Sequence, residues 1–365
     1  MRESAAERHD RLLALVRERG TARVSDLAGL LGVSPVTARR DVETLAGKGL
    51  LDRVHGQVSW PRGQGAPGAP GAAEGLVLGL LAPSATYYFA EVIRGAHEAA
   101  ARFGARLILR ISDYRPDEDR ARTEGLLAAG AQGVLVAPGW RGPQDRLAYG
   151  DWLAELPVPA VLLERRADPG TPLDGLDRVV SDHGHGVLLA LRHLLGLGRT
   201  TPVLVARADS PTALAVRAGY DDALRVLGLE APRPVIDSVP AEADPEGFER
   251  AVRALREAVG AGATAALVHN DVDAIQIVQR LAESGVRVPE DLALIAYDDE
   301  VAALADIPLT AVAPPKRQVG RHAAELLVER LTEGSAGPDE EAAARRHLSV
   351  LPRLRVRASC GAQGE

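Results

Sequence analysis

From Leu76 onward the chain repeats one alternation, a short continuous apolar run followed by a stretch of helical periodicity. "LVLGLLA" precedes "FAEVIRGAHEAAARFG", "RLILRI" precedes "DEDRARTEGLLAAG", "GVLVAP" precedes "DRLAYGDWLAEL", and "PAVLLE" follows. After "DRVVSD" the rhythm resumes with "GVLLALRHLLGLG", "TPVLVA", "ALAVRAGYDDALRVLG", "PVIDS", "PEGFERAVRALREAVGAG", "AALVH", "DAIQIVQRLAESG" and "LALIAY". Strands that are apolar on both faces, joined by amphipathic helices, build a parallel sheet covered by helices on each side. There are more such units than one six-stranded sheet holds, so the pattern predicts two α/β lobes. Ligands of open α/β sheets bind beyond the C-terminal strand ends. Two facing lobes would bring such loops to both walls of one cleft.

Ahead of this body lies "WPRGQGAPGAPGAAEG", residues 60–75, which has no apolar periodicity and cannot bury a core. It reads as a linker. The expected division is residues 1–60 as a small head, 61–75 as linker and 76–360 as the body. The charge is split in the same way. Residues 1–62 carry 11 Lys and Arg against 8 Asp and Glu, leaving 32 against 42 in the remainder of a chain whose net charge is −7. A basic head on an acidic body predicts that only the head meets a polyanion. The start of the chain mixes charges and has no apolar core of a signal peptide, and no run long enough to span a membrane occurs. With a single cysteine, Cys360, no disulfide within the chain is possible. Together these features predict a cytoplasmic protein with no membrane partner.

The head reads as helix, helix, helix and hairpin. "RHDRLLALVRERG" is the first helix and "RVSDLAGLLGV" the second, with Ser25 as its expected N-cap. The third begins after Ser34, a cap residue, with Pro35 at the first helical position, where its missing N–H costs nothing. On a helical projection Ala38, Val42 and Leu45 form one buried stripe. Arg40 and Glu43 face the other way, Arg39 and Thr44 flank them, and Thr37 lies near the N-terminus. A short helix presenting Thr and Arg suits the major groove, where Arg can donate twice to guanine. "LLDRVHGQVSW" then reads as a wing with Arg53 and His55 near its tip.

The whole stretch "LAGLLGVSPVTARRDVETLAGKGLLDRVHGQV" resembles the winged helix-turn-helix of DeoR-type bacterial repressors, with Gln57 where that family usually has a second glycine. The resemblance implies that Ser34, Thr37, Arg39 and Arg40 lie at the DNA. The body resembles a different family, the effector domain of lactose-repressor (LacI/GalR) type regulators, which is related to periplasmic sugar-binding proteins. The carrying motifs are "YYFAEVIRGAHEAAARFG", "VVSDHGHGVLLALRHLLGLG", "RAGYDDAL", "ALVHNDVDAIQIVQRLAESGVRVPEDLALIAYDDE", "IPLTAVAPPKRQVGRHAAELL" and "LPRLRVRAS". The minor-groove hinge helix of that family is absent, Ala296 replaces the usual glycine, and His269 stands where a small residue is commoner. The implied fold class is α/β, a two-lobed periplasmic-binding-protein-like domain with helix-flanked parallel sheets, preceded by a small winged helix-turn-helix domain.

A sugar site needs polar side chains for paired hydroxyls and an aromatic face for the C–H side. The strand-end loops supply both. Tyr87, Tyr88 and Phe89 follow the first strand, Ser112 the second and Trp140 the third, while Glu164 and Arg165 end the fourth. In the second half Arg207 ends "PVLVA", Asn270 and Asp271 end "AALVH", and Asp298 ends "LALIAY". The resemblance places Asn270, Asp298 and Glu164 at effector-binding positions, with Arg217 near another. Helix capping is the competing role for Ser112, Asp271 and Asp298.

No catalytic set emerges. "HGH" at 183–185 opens a helix with no carboxylate at a plausible offset, so no metal is expected, and no cofactor. "YDDE" has no phosphate-cradling loop beside it, and no G-x-S-x-G elbow exists. The expectation is a DNA-binding transcriptional regulator, a repressor, that binds operator DNA as a homodimer under the control of a small sugar or polyol effector. The alternative is a DNA-tethered enzyme on a sugar or nucleoside using Asp298, Asp299 and His269.

Overall fold

The computed structural model describes residues 8, 9, 11, 12, 15, 16, 21–47, 52–54, 57–59, 73, 75–229, 235–333 and 344–362. They form two compact units, Met1–Pro70 and Gly71–Glu365, divided within the Gly, Pro and Ala stretch.

In the first unit, residues 8, 9, 11, 12, 15 and 16 are helical. Strand β1 (Thr21–Arg23), helices α1 (Val24–Leu31) and α2 (Pro35–Gly47), and strands β2 (Asp52–Val54) and β3 (Gln57–Ser59) follow. Helix α1 ends because Gly32 takes a left-handed φ of 67° and returns its N–H to the carbonyls of Ala28 and Gly29. One small core joins Leu12 and Val16 to Leu27 and Leu31 of α1, to Ala38, Val42 and Leu45 of α2, and to Val58 of β3. The expected stripe on α2 is therefore the buried one. Two details differ from expectation. Ser25 is not the cap of α1, which starts two residues earlier than that cap implies, with Arg23 at the cap position and no side-chain cap. The wing is a three-stranded antiparallel sheet in the order β1-β3-β2, because "TAR" pairs with β3.

In the second unit the first lobe contains β4 (Val77–Ala82), α3 (Tyr88–Arg102), β5 (Arg106–Ile111), α4 (Pro116–Ala128), β6 (Gly133–Val136), α5 (Pro143–Tyr149), β7 (Ala160–Leu163) and β8 (Asp177–Ser181). The second lobe contains α6 (His183–Gly196), β9 (Pro202–Arg207), α7 (Pro211–Leu227), β10 (Ile236–Ser238), α8 (Pro245–Gly260), β11 (Ala265–His269), α9 (Asp271–Glu283), β12 (Ala293–Tyr297) and β13 (Thr310–Ala313). Helix α10 (Lys316–Glu333) and strand β14 (His347–Val350) return to the first lobe, and β15 (Arg353–Arg355) ends in the second. The chain thus passes between the lobes at three places, after β8, after β13 and after β14.

Among the described residues each lobe has a six-stranded sheet, β14-β8-β7-β6-β4-β5 in the first and β10-β9-β11-β12-β13-β15 in the second. All pairings are parallel except β13 with β15. Central strands β6, β7, β11 and β12 are buried throughout, whereas β5, at a sheet edge, keeps its arginines exposed. Helices α6, α7, α8 and α9 start where Asp182, Ser210, Asp244 and Asn270 accept an N–H of the first turn. Helix α10 is clamped into the first lobe by a buried ion pair, Arg330 to both oxygens of Asp177 at 2.7 and 2.9 Å. It crosses α3 with backbones in contact: a Cβ on Gly95 would lie 1.9 Å from the Arg317 carbonyl oxygen, and one on Gly320 1.9 Å from that of Val92. Only glycine fits both positions.

Candidate functional site

The head offers one charged helical face. The hydroxyl of Ser34 accepts the Thr37 N–H at 3.2 Å and lies 2.8 Å from the Thr37 hydroxyl, so both residues fix the start of α2. Val36, Arg39, Arg40, Glu43 and Thr44 are exposed along one side. Between them and the core sits Asp41, only 7 % exposed. It accepts from Arg8 Nε at 2.6 Å and Arg8 Nη2 at 3.1 Å, and His9 Nε2 lies 3.0 Å away. The hydrogen bond from Arg8 holds this carboxyl below its usual range against the opposing effect of burial. One arginine-arginine-aspartate triplet therefore splits its work, two cations outward and the anion inward against the first helix. Arg53 is in β2, opposite Val58 of β3. The Arg53 side chain and the whole of His55 lie outside the described residues.

In the body, the loops at the C-terminal ends of the strands are conformationally special. Among the described residues, the non-glycines with left-handed φ are Tyr87, Asp113, Tyr114, Glu164, Asp298 and Asp299, with φ from 51° to 94°. All six follow β4, β5, β7 or β12. Such conformations cost energy and concentrate where a side chain must be aimed. Among the described residues, buried polar atoms without a protein partner include Arg165 Nη2 after β7 and Asp298 Oδ1 after β12, in two of these loops, and Trp140 Nε1 after β6 and His269 Nδ1 at the end of β11, at two other strand ends. Burying such atoms is costly unless a partner arrives.

A cavity of about 200 Å³ opens between the lobes. From the first lobe it is lined by Trp140, Arg146, Glu164, Arg165, Arg166 and Ser181, and from the second by His183, Pro211, Thr212 and Leu214. The Glu164 carboxylate is held by the hydroxyls of Tyr88 and Ser181, each at 2.8 Å, and by the Ser181 N–H at 2.9 Å. Arg165 donates to the carbonyls of Pro138 at 2.8 Å and Glu164 at 2.9 Å, with its guanidinium 5.9 Å from the centre of the Phe89 ring. Burial pulls the Arg165 pKa down from its ordinary value. His183 contacts the Tyr297 hydroxyl at 3.1 Å, and burial lowers its pKa as well.

Beside the cavity the lobes are latched. The Tyr87 hydroxyl, from the first lobe, donates to Asp271 and, at 3.3 Å, to Asp298, both of the second. The other Asp271 oxygen accepts the backbone N–H groups of Glu300, Val301 and Ala302. Lys316, buried at the start of α10, donates to the Asp298 carbonyl and to Glu300. Burial raises the Asp298 carboxyl to about 6, and the nearby Lys316 charge opposes the rise.

The candidate ligand residues therefore fall into four groups. Trp140, Glu164 and Arg165 wall the cavity. Tyr88 and Phe89 stand behind that wall, holding Glu164 and carrying Arg165, while Ser112, 1 % exposed, is buried just after β5 with no partner for its hydroxyl among the described residues. Tyr87, Asp271 and Asp298 make the latch. The remaining polar groups are spent inside the second lobe. Arg207 forms a two-pronged pair with Asp273 at 2.8 and 3.0 Å, Asn270 caps α9, and Arg217 braces the carbonyls of Ala206 and Arg207 and the Asp237 carboxylate. Of the three residues expected to compete as caps, none caps a helix through its side chain; the caps are Asp182, Ser210, Asp244 and Asn270.

Sequence reasoning missed Ser181, His183 and Thr212 as wall residues. His183 was considered only for a metal, although its place directly after "VVSD", where the chain leaves one lobe for the other, is the signal that could have found it. It also missed Asp119, fully buried in α4, which accepts the Gly139 N–H at 2.7 Å and pins the loop carrying Trp140.

Comparison with known proteins agrees with this two-part construction. Residues 8–62 match the DeoR-like helix-turn-helix domain, and residues 191–360 match the periplasmic binding protein-like domain. The HTH-type transcriptional repressor PurR of Haemophilus influenzae (strain PittEE) is 28 % identical over 286 residues, covering 77 % of this chain and 80 % of that protein. Among solved structures, the lac repressor dimer bound to operator and the anti-inducer ONPF superimposes with a TM-score of 0.64 at 23 % identity, covering 79 % of this chain and 94 % of that one. A LacI family transcriptional regulator from Enterococcus faecium with bound ribose gives a TM-score of 0.59 at 22 % identity, covering 78 % and 98 %. Among the described residues, no helix is long and apolar enough to cross a membrane. The chain is a transcriptional regulator that joins a DeoR-like helix-turn-helix domain to a periplasmic binding protein-like domain.

Proposed function

We propose that this regulator is a repressor that binds operator DNA as a homodimer, and that a small sugar-like or polyol-like effector between the lobes sets its DNA affinity. The observation that carries the effector reading is an interlobe cavity walled by left-handed Glu164 and by Arg165 and Trp140, whose Nη2 and Nε1 are buried without a protein partner among the described residues. Structural loops rarely accumulate both without a ligand to satisfy them. The neighbour with bound ribose is in keeping with a sugar-sized occupant. At about 200 Å³ the cavity is below the roughly 300–1,000 Å³ of drug-sized ligands, which favours a single ring over a disaccharide.

On the DNA side, Ser34, Thr37, Arg39 and Arg40 contact the major groove and its phosphates, and the same reading assigns Arg53 and His55 to the DNA. The exposed side chain of Val36, 75 % accessible at the start of α2, suits a thymine methyl group. A dimer reads two half-sites related by its twofold axis.

The test selects an operator from random duplexes, then titrates it by fluorescence anisotropy with and without any sugar or polyol that raises the protein's melting temperature. The expected result is a change of at least tenfold in operator affinity, which corresponds to about 1.4 kcal/mol of coupling. Operator affinity indifferent to every stabilising ligand would overturn the effector reading.

A further inference from the structure

The polar atoms left without partners on the cavity wall are all donors. Arg165 is 6 % exposed and borders the cavity, and its Nε and Nη1 go to two neutral carbonyls while Nη2 has no acceptor. Trp140, 2 % exposed, leaves its indole N–H equally without an acceptor. From the opposite lobe the wall includes the start of α7, a helix of 17 residues. There Pro211 has no N–H, Ser210 accepts from Ala213 at 3.1 Å, and the Leu214 N–H goes to the Ser210 carbonyl at 3.1 Å. The Thr212 N–H is the donor of that first turn left over, at the positive end of the helix. The one carboxylate on the wall, Glu164, is already engaged by Tyr88 and by two donors of Ser181. No acid is hydrogen-bonded to Arg165, and Arg166 adds a second, exposed guanidinium at the rim. A neutral sugar brings as many donors as acceptors. This wall asks for acceptors.

We propose that the effector presents an anionic oxygen group, a carboxylate or a phosphate, to Arg165, Trp140 and the first turn of α7, so that the ligand is an acidic sugar derivative and not a neutral sugar. The inference rests on the effector reading above and narrows its chemistry. A planar guanidinium with one free edge, an indole N–H and a helix N-terminus make a compact seat for two or three anionic oxygens. The remaining carbon skeleton would lie against Trp140 and Leu214.

The experiment is a thermal-shift and calorimetric titration of the full chain at fixed ionic strength. The panel consists of aldopentoses and aldohexoses, each matched with its aldonate and its monophosphate, together with inorganic phosphate alone. The expected result is a stabilising aldonate or phosphate that binds at least tenfold more tightly than its neutral parent, and the member that responds tells carboxylate from phosphate. Arg165→Gln should weaken that ligand by 100-fold or more, and Trp140→Phe, which keeps the ring and loses the N–H, by roughly three- to tenfold. If Arg165→Gln does not fold, Trp140→Phe carries the test, and an unchanged affinity in that variant would overturn the placement. A neutral sugar that binds as tightly as its charged partners would overturn the anion proposal and leave the effector reading standing. Stabilisation by no member of either series would remove both.

Discussion

The Tyr87 hydroxyl in one lobe stands 3.3 Å from the Asp298 carboxylate in the other while donating to Asp271 as well. A single phenol thus keeps two acids of the second lobe apart and ties them to the first. Tyr87→Phe preserves the ring and removes this donor, leaving two buried carboxylates facing each other. Hydrogen bonds to charged acceptors contribute about 1.5–3 kcal/mol, and a loss of that order in the stability of the 71–365 unit is expected. Calorimetric melting of the variant would show it, and an unchanged transition would mean that the two lobes are held without the latch.

The body carries two opposed sets of buried titratable groups. Burial raises Asp298 and Asp119 to about 6, while it lowers His183 and pushes His269 down to about 4. A carboxyl whose folded pKa exceeds its unfolded value favours the fold below about pH 4 and loses that contribution as pH rises through 6. A depressed imidazole does the reverse, favouring the fold above about pH 6.5 and losing that contribution as pH falls. The two sets offset each other in the wild type. Asp119→Asn, which keeps an oxygen for the Gly139 N–H, should remove one side of the balance. The variant is expected to gain about 1–3 kcal/mol over the wild type at pH 7 and nothing at pH 4. Melting curves at both pH values check this; a gain independent of pH would show that Asp119 does not titrate in that window.

In the head, Asp41 fastens α2 to the helical residues before it through Arg8 and His9. Asp41→Asn removes the charge that pairs with Arg8 and His9 and weakens both contacts, at an expected cost of about 1–3 kcal/mol to the head. Because the Asp41 pKa is depressed, its contribution is full above the ordinary carboxylate value of 3.8 and disappears as pH falls through the lower folded value. The variant should therefore lose stability relative to wild type at pH 7 and match it at low pH. Equal stability at pH 7 would mean that the apolar stripe of Ala38, Val42 and Leu45 suffices to hold α2.

Much of the architecture is legible in the sequence because apolar runs such as "LVLGLLA" and "AALVH" can only be central strands, and because Pro35 after Ser34 announces a helix start. The pairing of "TAR" with the wing is not legible, since three residues carry no period and the partner lies more than thirty positions away. The role of Asp41 is hidden for the same reason, as 33 residues separate it from Arg8. Strand-end reasoning found Trp140, Glu164 and Arg165 but could not tell wall from brace. Arg207 and Arg217 follow the same sequence logic as Arg165, yet Asp273 and the carbonyls of β9 take them first. Only the third dimension decides which polar side chain is left with work for a ligand.

Arg39 and Arg40 are exposed next to the Ser34 and Thr37 cap, on the side of α2 away from the core. If Arg40 donates to a base edge, Arg40→Ala should cost about 1–3 kcal/mol of operator affinity and relax the sequence preference at one position of each half-site. A residue that meets only phosphate behaves differently. Its removal weakens all sequences about equally and lowers the slope of log affinity against log salt by roughly one per contact. Parallel titrations of Arg39→Ala and Arg40→Ala on operator and scrambled duplexes at several salt concentrations separate the two roles. The geometry of the helix, with Arg40 opposite the Ala38, Val42 and Leu45 stripe and Arg39 on its flank, leads us to expect the specific loss at Arg40 and the uniform loss at Arg39. Both variants should keep the effector-induced rise in melting temperature of the body, because neither residue belongs to the 71–365 unit. Unchanged operator binding in both would show that α2 is not the helix that reads the DNA.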